Sequence, residues 1–371
     1  MWQQILEDLK NEDYKDGYYH ISEDLKKYPD AWVYVIWSLR GPGKTYSYLR
    51  YMVASNTKFI YMKRTNDDID LLCQKGYKGD SSFDPSPFKP INRDFGCNIK
   101  PYKLREGLAG FYEFNENDEP SGEIKGYCLS MNASIKYKGF DFSECDYICF
   151  DEFIPKKGQI VKHSEGAMLL DFYMTVCRDR VKRGRGDLKL VLLANADDIA
   201  APIINELEIM DYIAVMNNLK IHTNYLQEKG IFLKHIDSAL IDNDFNKMGI
   251  YKAMANTAWG DVAFGGSFAY NDFSNVAKSN LKGYKPLIHI IYKRKDIYIY
   301  LNPDNGYYHF TTSKSNKTLY DFNLDRENDQ KRFYQQFGID IRLACIDNHV
   351  TFQKYSFYDL FINYKKYFEL R

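Results

Sequence analysis

The segment between residues 32 and 62 constrains the fold more than any other part of the chain. The run Trp32–Trp37 (WVYVIW) is rich in β-branched and aromatic residues and predicts a buried strand. It leads into the loop SLRGPGKT, and the next segment, TYSYLRYMVA, has the spacing of a helix. A second strand-like run, FIYM, follows at residues 59–62. This strand–loop–helix–strand order predicts a βαβ unit and therefore a parallel sheet.

The loop carries the residue types that bind a nucleotide phosphate. Small residues let backbone N–H groups curl around the β-phosphate, a lysine at the helix start reaches the β- and γ-phosphates, and a hydroxyl beside it holds Mg²⁺. The position between a strand and a helix favours this interpretation over an ordinary surface loop. The predicted phosphate-binding loop comprises Ser38, Leu39, Arg40, Gly41, Pro42, Gly43, Lys44 and Thr45.

Asp151 and Glu152 follow another apolar run, within Cys145–Phe153 (CDYICFDEF). In an open parallel sheet, the carboxyl end of a strand is where ligands bind. Asp151 would hold Mg²⁺ through water, and Glu152 would activate the attacking water as general base. An Asp-Glu pair alone often marks only the start of a helix, but a preceding phosphate-binding loop favours the catalytic interpretation. Motor ATPases use such a glutamate, so we expect Mg²⁺-dependent hydrolysis of ATP.

Two further candidates lie beyond the Asp-Glu pair. Asn195 ends the next buried run, where its amide can sense a γ-phosphate or simply satisfy a turn. Arg178 lies in the last turn of a predicted helix over residues 165–181 and begins a basic segment, RDRVKRGRGDLK. An arginine there can act on a neighbouring subunit's nucleotide as an arginine finger, with Arg180 as the next candidate. Solvated surface charge explains the same pattern equally well.

Composition excludes several classes of protein. Lys and Arg total 50, as do Asp and Glu, so no overall positive charge indicates nucleic-acid binding. The seven cysteines form no CxxC pair, which argues against a zinc site or a disulfide framework and favours a reducing compartment. The polar N-terminus does not resemble a targeting peptide, and no apolar run reaches the ~18–20 residues of a membrane span. We expect a soluble intracellular protein.

The pattern changes along the chain. The interval between Lys44 and Asp151 leaves room for further strands. Within it, residues 66–126 are interrupted by Gly, Pro and Asp, a pattern that predicts an insertion of small strands and loops. Residues 211–260 have helical and irregular patterning typical of a connector. Residues 262–371 contain the strand-like runs PLIHIIY, DIYIYL and GYYHF around a PDNG turn, followed by helical patterning.

Taken in order, the motifs RGPGKTYSY, IYMKR, ICFDEFI, TVCRDR and LLANA resemble the DNA-packaging ATPases of phi29-like short-tailed bacteriophages. The chain resembles the terminase large subunits more distantly. The resemblance covers residues 32–200 in good order and extends more weakly through 286–310. The combination is specific, although each motif is short.

The resemblance implies an α/β fold with three parts. These are an ASCE-type P-loop ATPase domain with a parallel sheet (residues 1–210, of which 1–28 form a helical arm), a linker domain (211–260), and a smaller α+β domain of RNase H-like shape (261–371). It implies a homo-oligomeric ring, a pentamer, formed in the host cytoplasm and acting transiently at the portal vertex of a procapsid. The ring pumps double-stranded DNA inward and, in the phi29-like branch, docks on a structural RNA. No membrane partner is implied.

The resemblance also assigns roles to residues. Lys44 and Thr45 contact phosphate and Mg²⁺, Asp151 and Glu152 serve the metal and the water, and Asn195 couples hydrolysis to motion. Arg178 falls on the arginine that acts in trans. Lys136 or Lys138 falls near a basic residue that acts between subunits, and Lys63 and Arg64 match a basic pair whose role stays open.

The chain departs from the family in two places. Ser38 stands where the family usually has glycine. The strand-like segment LIHIIYKRK has no carboxylate, whereas a terminase nuclease needs one on its first strand to hold metal ions. We therefore expect a C-terminal domain with a nuclease-like shape and no nuclease activity. Its basic residues either grip a phosphate backbone or are simply solvated: Lys282, Lys285, Lys293, Arg294 and Lys295.

Three functions remain open on the sequence. The first is an ATP-driven motor that moves duplex DNA into a procapsid. The second is a P-loop helicase or replication ATPase, which would share the same motifs but unwind its substrate. The third is a nucleotide-gated nucleic-acid-binding scaffold without turnover, against which Glu152 argues.

Overall fold

The computed structural model describes residues 1–11, 16–74, 83–156, 159, 161–236, 249–254, 256–257, 260, 268 and 271–368. The chain divides into two units. The first consists of Met1–Leu207 and Met216–Tyr270, and the second of Glu208–Val215 and Asn271–Arg371. Within the described segments, every helix is too short or too polar to cross a bilayer.

A nine-stranded sheet formed by described residues organises the first unit. Its strands are β1 (Val33–Ser38), β2 (Phe59–Lys63), β3 (Ile99–Arg105), β4 (Leu108–Phe114), β5 (Pro120–Ser130), β6 (Tyr147–Asp151), β7 (Lys189–Asn195), β8 (Thr223–Leu226) and β9 (Ile231–Ile236). Their order across the sheet is β3-β4-β5-β2-β6-β7-β1-β9-β8. The strands from β5 to β9 in this order are parallel, and antiparallel strands flank them on both sides.

Helices cover the sheet because its central strands are apolar on both faces. All six residues of β1 are buried, for example. The helices of this part are α1 (Trp2–Lys10), α2 (Ile21–Lys27), α3 (Lys44–Ala54), α4 (Asn66–Leu72), α5 (Lys89–Phe95), α6 (Glu165–Cys177), α7 (Pro202–Glu206) and α9 (Gly249–Met254), while the residues of α8 (Met210–Leu219) are divided between the two units. Short 3₁₀ helices occupy Met131–Tyr137, Val181–Arg183 and Gln227–Lys229.

The predicted βαβ unit is present as β1, α3 and β2, but the interval after it differs from the prediction. Residues 66–126 contain helices α4 and α5 as well as strands, and β3, β4 and β5 extend the large sheet. A capping box between Thr65 and Asp68 starts α4, a signal that the loop-like composition obscured. The predicted helix over 165–181 ends at Cys177.

The prediction that residues 211–260 are only helical and irregular was wrong for 223–236. These residues form β8 and β9, and β9 pairs in parallel with β1 along six residues. The strand was missed because its sequence, IFLKHI, is short and carries two polar residues. The predicted linker domain partly lies outside the described residues and stays a prediction.

The second unit is built on a smaller sheet. Its strands are β10 (Lys285–Tyr292), β11 (Lys295–Leu301), β12 (Tyr308–Thr311), β13 (Tyr320–Asn323) and β14 (Val350–Phe352), in the order β13-β10-β11-β12-β14. The first three strands form an antiparallel meander, while β13 runs parallel to β10 and β14 parallel to β12. The short strands β13 and β14 were not predicted from the sequence.

Helices pack against this sheet to close a separate core. They are α10 (Glu327–Phe333), α11 (Ile339–Ile346), α12 (Tyr355–Ile362) and α13 (Tyr364–Tyr367), with a π-helical turn at Tyr334–Gly338. Ile288, Ile290 and Phe310 of the sheet are fully buried in the same cluster as Phe333 and Phe361 of the helices. The predicted strands and the helical patterning after them are therefore present.

Candidate nucleotide-binding site

The loop between β1 and α3 depends on two glycines. Gly41 and Gly43 have φ angles of 97° and 85°, in the left-handed region that side chains disfavour. A Cβ on Gly43 would lie 2.9 Å from a ring carbon of Tyr18, so the backbone also approaches that ring closely. The backbone N–H of Tyr19 donates to the Pro42 carbonyl at 3.0 Å. The segment before α2 therefore holds the loop in its turn.

Lys44 begins α3 and is buried beneath the loop. Its ammonium donates to the Ser38 hydroxyl at 2.5 Å, the Leu39 carbonyl at 3.1 Å and the side-chain oxygen of Asn195 at 3.3 Å. Burial lowers the pKa of Lys44 to about 8, although the carboxylates of Asp151 and Glu152 act in the opposite direction. The lysine that sequence analysis assigned to phosphate thus lies beside Ser38 and Asn195.

Asp151 ends β6 and is buried. It accepts hydrogen bonds from the Tyr61 hydroxyl at 2.5 Å and from the Lys63 ammonium at 3.1 Å. Burial alone would raise the pKa of Asp151, but the charge of Lys63 and the hydrogen bonds from Tyr61, Lys63 and Thr45 hold it below its usual value. An ionised carboxylate therefore lies next to the Thr45 hydroxyl.

Glu152 directly follows β6 and has a φ of 57°, in the left-handed region. Such a conformation costs energy for a residue with a side chain, and it concentrates at functional sites. The carboxylate is half exposed and lies 3.5 Å from the Lys63 ammonium. The turn thus directs consecutive acidic side chains into different surroundings, one buried and one open to solvent.

The strand order explains why these residues meet. Strand β7 lies between β1 and β6, so Asn195 at its end lies between the phosphate loop and Asp151. Parallel strands end at one edge of a sheet, which collects the three strand ends there. The strand between β1 and β6 comes after β6 in the sequence. The interval between Lys44 and Asp151 instead supplies β2 to β5, on the far side of β6.

Two cavities open at this edge. One, of about 340 Å³, is lined by the loop from Arg40 to Tyr46 together with Asp151, Glu152 and Asn195. The other, of about 300 Å³, shares those last three residues and is lined further by side chains that include Lys63 and Arg64. Glu152 therefore borders both the cavity over the phosphate loop and the cavity beside it.

Lys63 and Arg64, whose role the sequence left open, serve different carboxylates. Lys63 pairs with Asp151 and Glu152, and these carboxylates keep its pKa above the usual value although burial opposes them. Arg64 forms two hydrogen bonds with Glu165 at the start of α6, at 2.9 and 3.1 Å, and donates to the Phe153 carbonyl at 2.7 Å. Lys63 therefore contacts the acidic pair of the site, while Arg64 binds the start of α6 next to the site.

Arg178 does not reach this site in its own chain. Helix α6 starts at Glu165, next to the site, and runs through thirteen residues, about 20 Å, before Arg178. The next arginine, Arg180, lies at the other edge of the sheet, where it is buried and donates to Cys145, Asp146 and Gly186. These contacts engage the Arg180 guanidinium within its own chain, and its action on a neighbouring subunit stays a prediction. Arg178 is exposed, and its role in trans stays a prediction.

Lys136 and Lys138 lie on the surface, in and just after the 3₁₀ turn that follows β5. The Lys136 ammonium lies 2.9 Å from Glu106, and the Lys138 ammonium lies 3.4 Å from Asp171 on α6. Both pairs are exposed, where ion pairs contribute little to stability. The proposed action of either lysine between subunits stays a prediction.

Three groups at the site were not predicted from the sequence. Tyr61 is one, and its position next to the end of a strand paired with β6 was a usable signal. Asp197, two residues after Asn195, lines the second cavity, and burial raises its pKa. The third is an ion-pair network of Asp16 with His20 and Arg50, beneath the segment that holds the loop. No local pattern indicates this last group, because its members are up to 34 residues apart.

A comparison with known protein families and a comparison with curated proteins find no match. Solved structures do match. The chain is similar to the bacteriophage Phi-29 viral genome packaging motor assembly, with 16% identity and a TM-score of 0.61 over 95% of this chain and 99% of that one. It is similar to the Phi-28 DNA packaging motor, with 14% identity and a TM-score of 0.53 over 96% of this chain and 99% of that one.

At such identities the similarity shows the fold. It confirms a mixed α/β fold with a large, mainly parallel sheet, which is the coarse part of the predicted architecture. The RNase H-like shape of the C-terminal part stays a prediction.

Proposed function

We propose that this chain is an ATP-hydrolysing motor that translocates double-stranded viral DNA into a preformed procapsid. One observation carries the proposal. Lys44, Asp151, Glu152 and Asn195 meet at one edge of a sheet in which β7 separates the phosphate-loop strand from the strand of the Asp-Glu pair. An added strand at this place is what ASCE-type motor ATPases require. The fold shared with two packaging motors supports the same conclusion.

The donor set suits Mg²⁺. The Thr45 hydroxyl and the Asp151 carboxylate are hard oxygen ligands of the kind that Mg²⁺ prefers, and the hydrogen bond between them keeps them side by side. Bound Mg²⁺ would neutralise charge on the transferred phosphate. Lys44 would bind the β- and γ-phosphates, and the glycine loop would present its backbone N–H groups to them.

Glu152 would activate the attacking water. Its carboxylate is half exposed and borders both cavities, so water can reach it through the cavity that the phosphate loop does not line. Glu152→Gln should keep nucleotide binding, because Lys44 and Thr45 remain, and should abolish turnover. Wild-type hydrolysis by this variant would refute the assignment of the base.

Subunits would assemble into a ring, a pentamer, in which Arg178 of one chain acts on the nucleotide of the next. The exposed position of Arg178 beyond the far end of α6 supports this arrangement, because its own site lies about 20 Å away. Arg178→Ala should retain ATP affinity and stop hydrolysis, which an arginine finger accelerates by roughly 10³–10⁵-fold. Mixing inert Arg178→Ala and Glu152→Gln subunits should restore some activity. Co-assembled mixtures that stay inert would contradict action in trans.

The second unit would be a nuclease-like fold that binds nucleic acid without cutting it. An antiparallel meander with a fourth strand parallel to its first strand supports an RNase H-like shape. Strand β10 carries no carboxylate for a metal ion. At the tip of the β10–β11 hairpin, Lys293 and Arg294 are exposed with φ angles of 48° and 61°, a strained turn that presents two cations. Beside the tip, the exposed Lys295 ammonium lies 2.8 Å from Glu208, an ion pair typical of a solvated surface.

The proposed partners follow from the resemblance. They are double-stranded DNA, the portal of the procapsid and, in the phi29-like branch, a structural RNA, with the ring formed in the host cytoplasm. The decisive experiment is ATP-dependent packaging of labelled duplex DNA into purified procapsids, measured as protection from nuclease. Glu152→Gln is the matched control. Unwinding of duplex DNA without protection would favour a helicase, and nucleotide binding without turnover would favour a scaffold.

A further inference from the structure

The Lys44 ammonium has all of its hydrogen bonds filled by the protein itself. An ammonium group has three donors. In this structure they meet three acceptors, the Ser38 hydroxyl, the Leu39 carbonyl and the Asn195 side-chain oxygen. A phosphate oxygen that binds Lys44 must therefore replace one of the three.

Asn195 is the acceptor most readily replaced. Its distance of 3.3 Å is the longest of the three, against 2.5 Å for Ser38 and 3.1 Å for Leu39. Ser38 and Leu39 belong to the same loop as the lysine, and Ser38 is further fixed because its hydroxyl donates to the Leu39 carbonyl at 2.6 Å. Asn195 lies on a different strand and also lines the cavity over the loop.

Ser38 makes this exchange necessary. A glycine at position 38 would leave Lys44 with two protein acceptors and one donor for the phosphate, so that Asn195 and nucleotide could bind together. The hydroxyl of Ser38 takes that donor. Ser38 is completely buried, so its hydroxyl has no contact with bulk solvent and binds the Lys44 ammonium instead.

We propose that Ser38 is a positioning residue that forces nucleotide and Asn195 to compete for Lys44, so that nucleotide binding releases the Asn195 side chain. The inference rests on the proposed nucleotide binding by this loop. Once released, the amide lies beside the phosphates and Asp151, free to contact the γ-phosphate. The serine at position 38 thereby links nucleotide binding at the phosphate loop to the contacts of the Asn195 side chain at the end of β7.

The test is the affinity for ADP, measured by calorimetry on the full chain. Ser38→Ala removes the hydroxyl, so ADP no longer has to displace Asn195, and affinity should rise by roughly 2- to 10-fold, the worth of one hydrogen bond. Asn195→Ala removes the competitor and should give a similar rise. The double variant should resemble either single variant, because both remove the same competition.

Turnover supplies a second readout. Ser38→Ala should lower both KM and kcat for ATP, since Asn195 stays on Lys44 when the γ-phosphate arrives. Ser134→Ala is the matched control, another buried serine whose hydroxyl donates to a backbone carbonyl, and it should leave affinity unchanged. If Ser38→Ala does not fold, Ser38→Gly tests the same competition.

Unchanged or weaker ADP affinity in folded Ser38 variants, or additive gains in the double variant, would overturn the inference. Failure of the wild-type chain to bind ADP would instead overturn the proposed function.

Discussion

The ion pair between Arg64 and Glu165 offers a test of how the site is held together. Both side chains are buried, and the guanidinium forms two hydrogen bonds with the carboxylate. Arg64 also bonds the carbonyl of Phe153, which follows Glu152. Glu165→Gln keeps the shape of the side chain and removes its charge. The variant therefore leaves a buried cation beside the Asp151-Glu152 turn without its counter-ion.

The expected loss of stability follows from these contacts. Breaking a buried pair by neutralising one partner costs about 3–5 kcal/mol. Part of that loss is offset here, because glutamine still accepts one hydrogen bond and Arg64 keeps its bond to Phe153 and its place over the Phe150 ring. We expect the free energy of unfolding of the first unit to fall by about 2–3 kcal/mol. For a unit of this size, that corresponds to a decrease in Tm of about 5–10 °C.

The assay is thermal unfolding without nucleotide, following the transition of the first unit. The control is Glu144→Gln, which breaks the shorter but exposed pair with Lys58 and should barely change Tm. Replacing both partners, as Arg64→Met with Glu165→Leu, should be less damaging than Glu165→Gln because no buried charge remains. A Glu165→Gln protein that melts within about 1 °C of the Glu144→Gln control would refute the reasoning.

Three further predictions concern pH and charge. Burial lowers the pKa of Lys44 to about 8, and only the ammonium form of this lysine binds phosphate. The affinity for ADP should therefore fall by up to about tenfold per pH unit above pH 8. The Lys44→Arg variant should not show this decrease, because arginine stays charged. Burial raises the pKa of Asp16, but His20, the Tyr18 N–H and Arg50 lower it to about 2 overall. The ionised Asp16 carboxylate therefore stabilises the folded chain fully above about pH 4, and this contribution is lost as the pH falls toward 2. Asp16→Asn should therefore lower Tm at neutral pH, and its difference from wild type should shrink below about pH 4. Replacing the hairpin tip by Asn-Gly, the sequence such turns favour, should raise stability and reduce the salt dependence of DNA binding by about two phosphate contacts; unchanged salt dependence would exclude the tip from the interface.

The sequence predicted the strands that carry chemistry because each is a short apolar run that ends in a polar residue. The runs before Ser38, Asp151 and Asn195 are buried throughout or nearly so, and a strand buried on both faces needs little else to be recognised. The neighbourhood of these residues follows from parallel pairing, which aligns the strand ends. Lys44 next to Asn195 is the direct result.

The sequence failed where long-range contacts decide the structure. Strand β9 carries the polar pair Lys234-His235 before its last residue and resembles a connector, yet it pairs with β1 along its whole length. Arg180 has the same local composition as Arg178, but its guanidinium meets Cys145 and Asp146, which precede it by more than thirty residues. No periodicity distinguishes these two arginines. Burial separates them, and burial is a property of the folded chain.

The end of β2 shows how little sequence such a site needs to retain. Two consecutive cations, Lys63 and Arg64, lie at the end of this strand. Lys63 forms an ion pair with Asp151 of the site, and Arg64 forms one with Glu165 at the start of α6. Lys63 ends β2 and Arg64 directly follows it, and their side chains contact different carboxylates, so one basic dipeptide serves both purposes without further sequence. The remainder of β2 needs only to be apolar, apart from the Tyr61 hydroxyl on Asp151. A fold of this kind can be shared at 16% identity, because many combinations of apolar residues fill the core around the same order of strands.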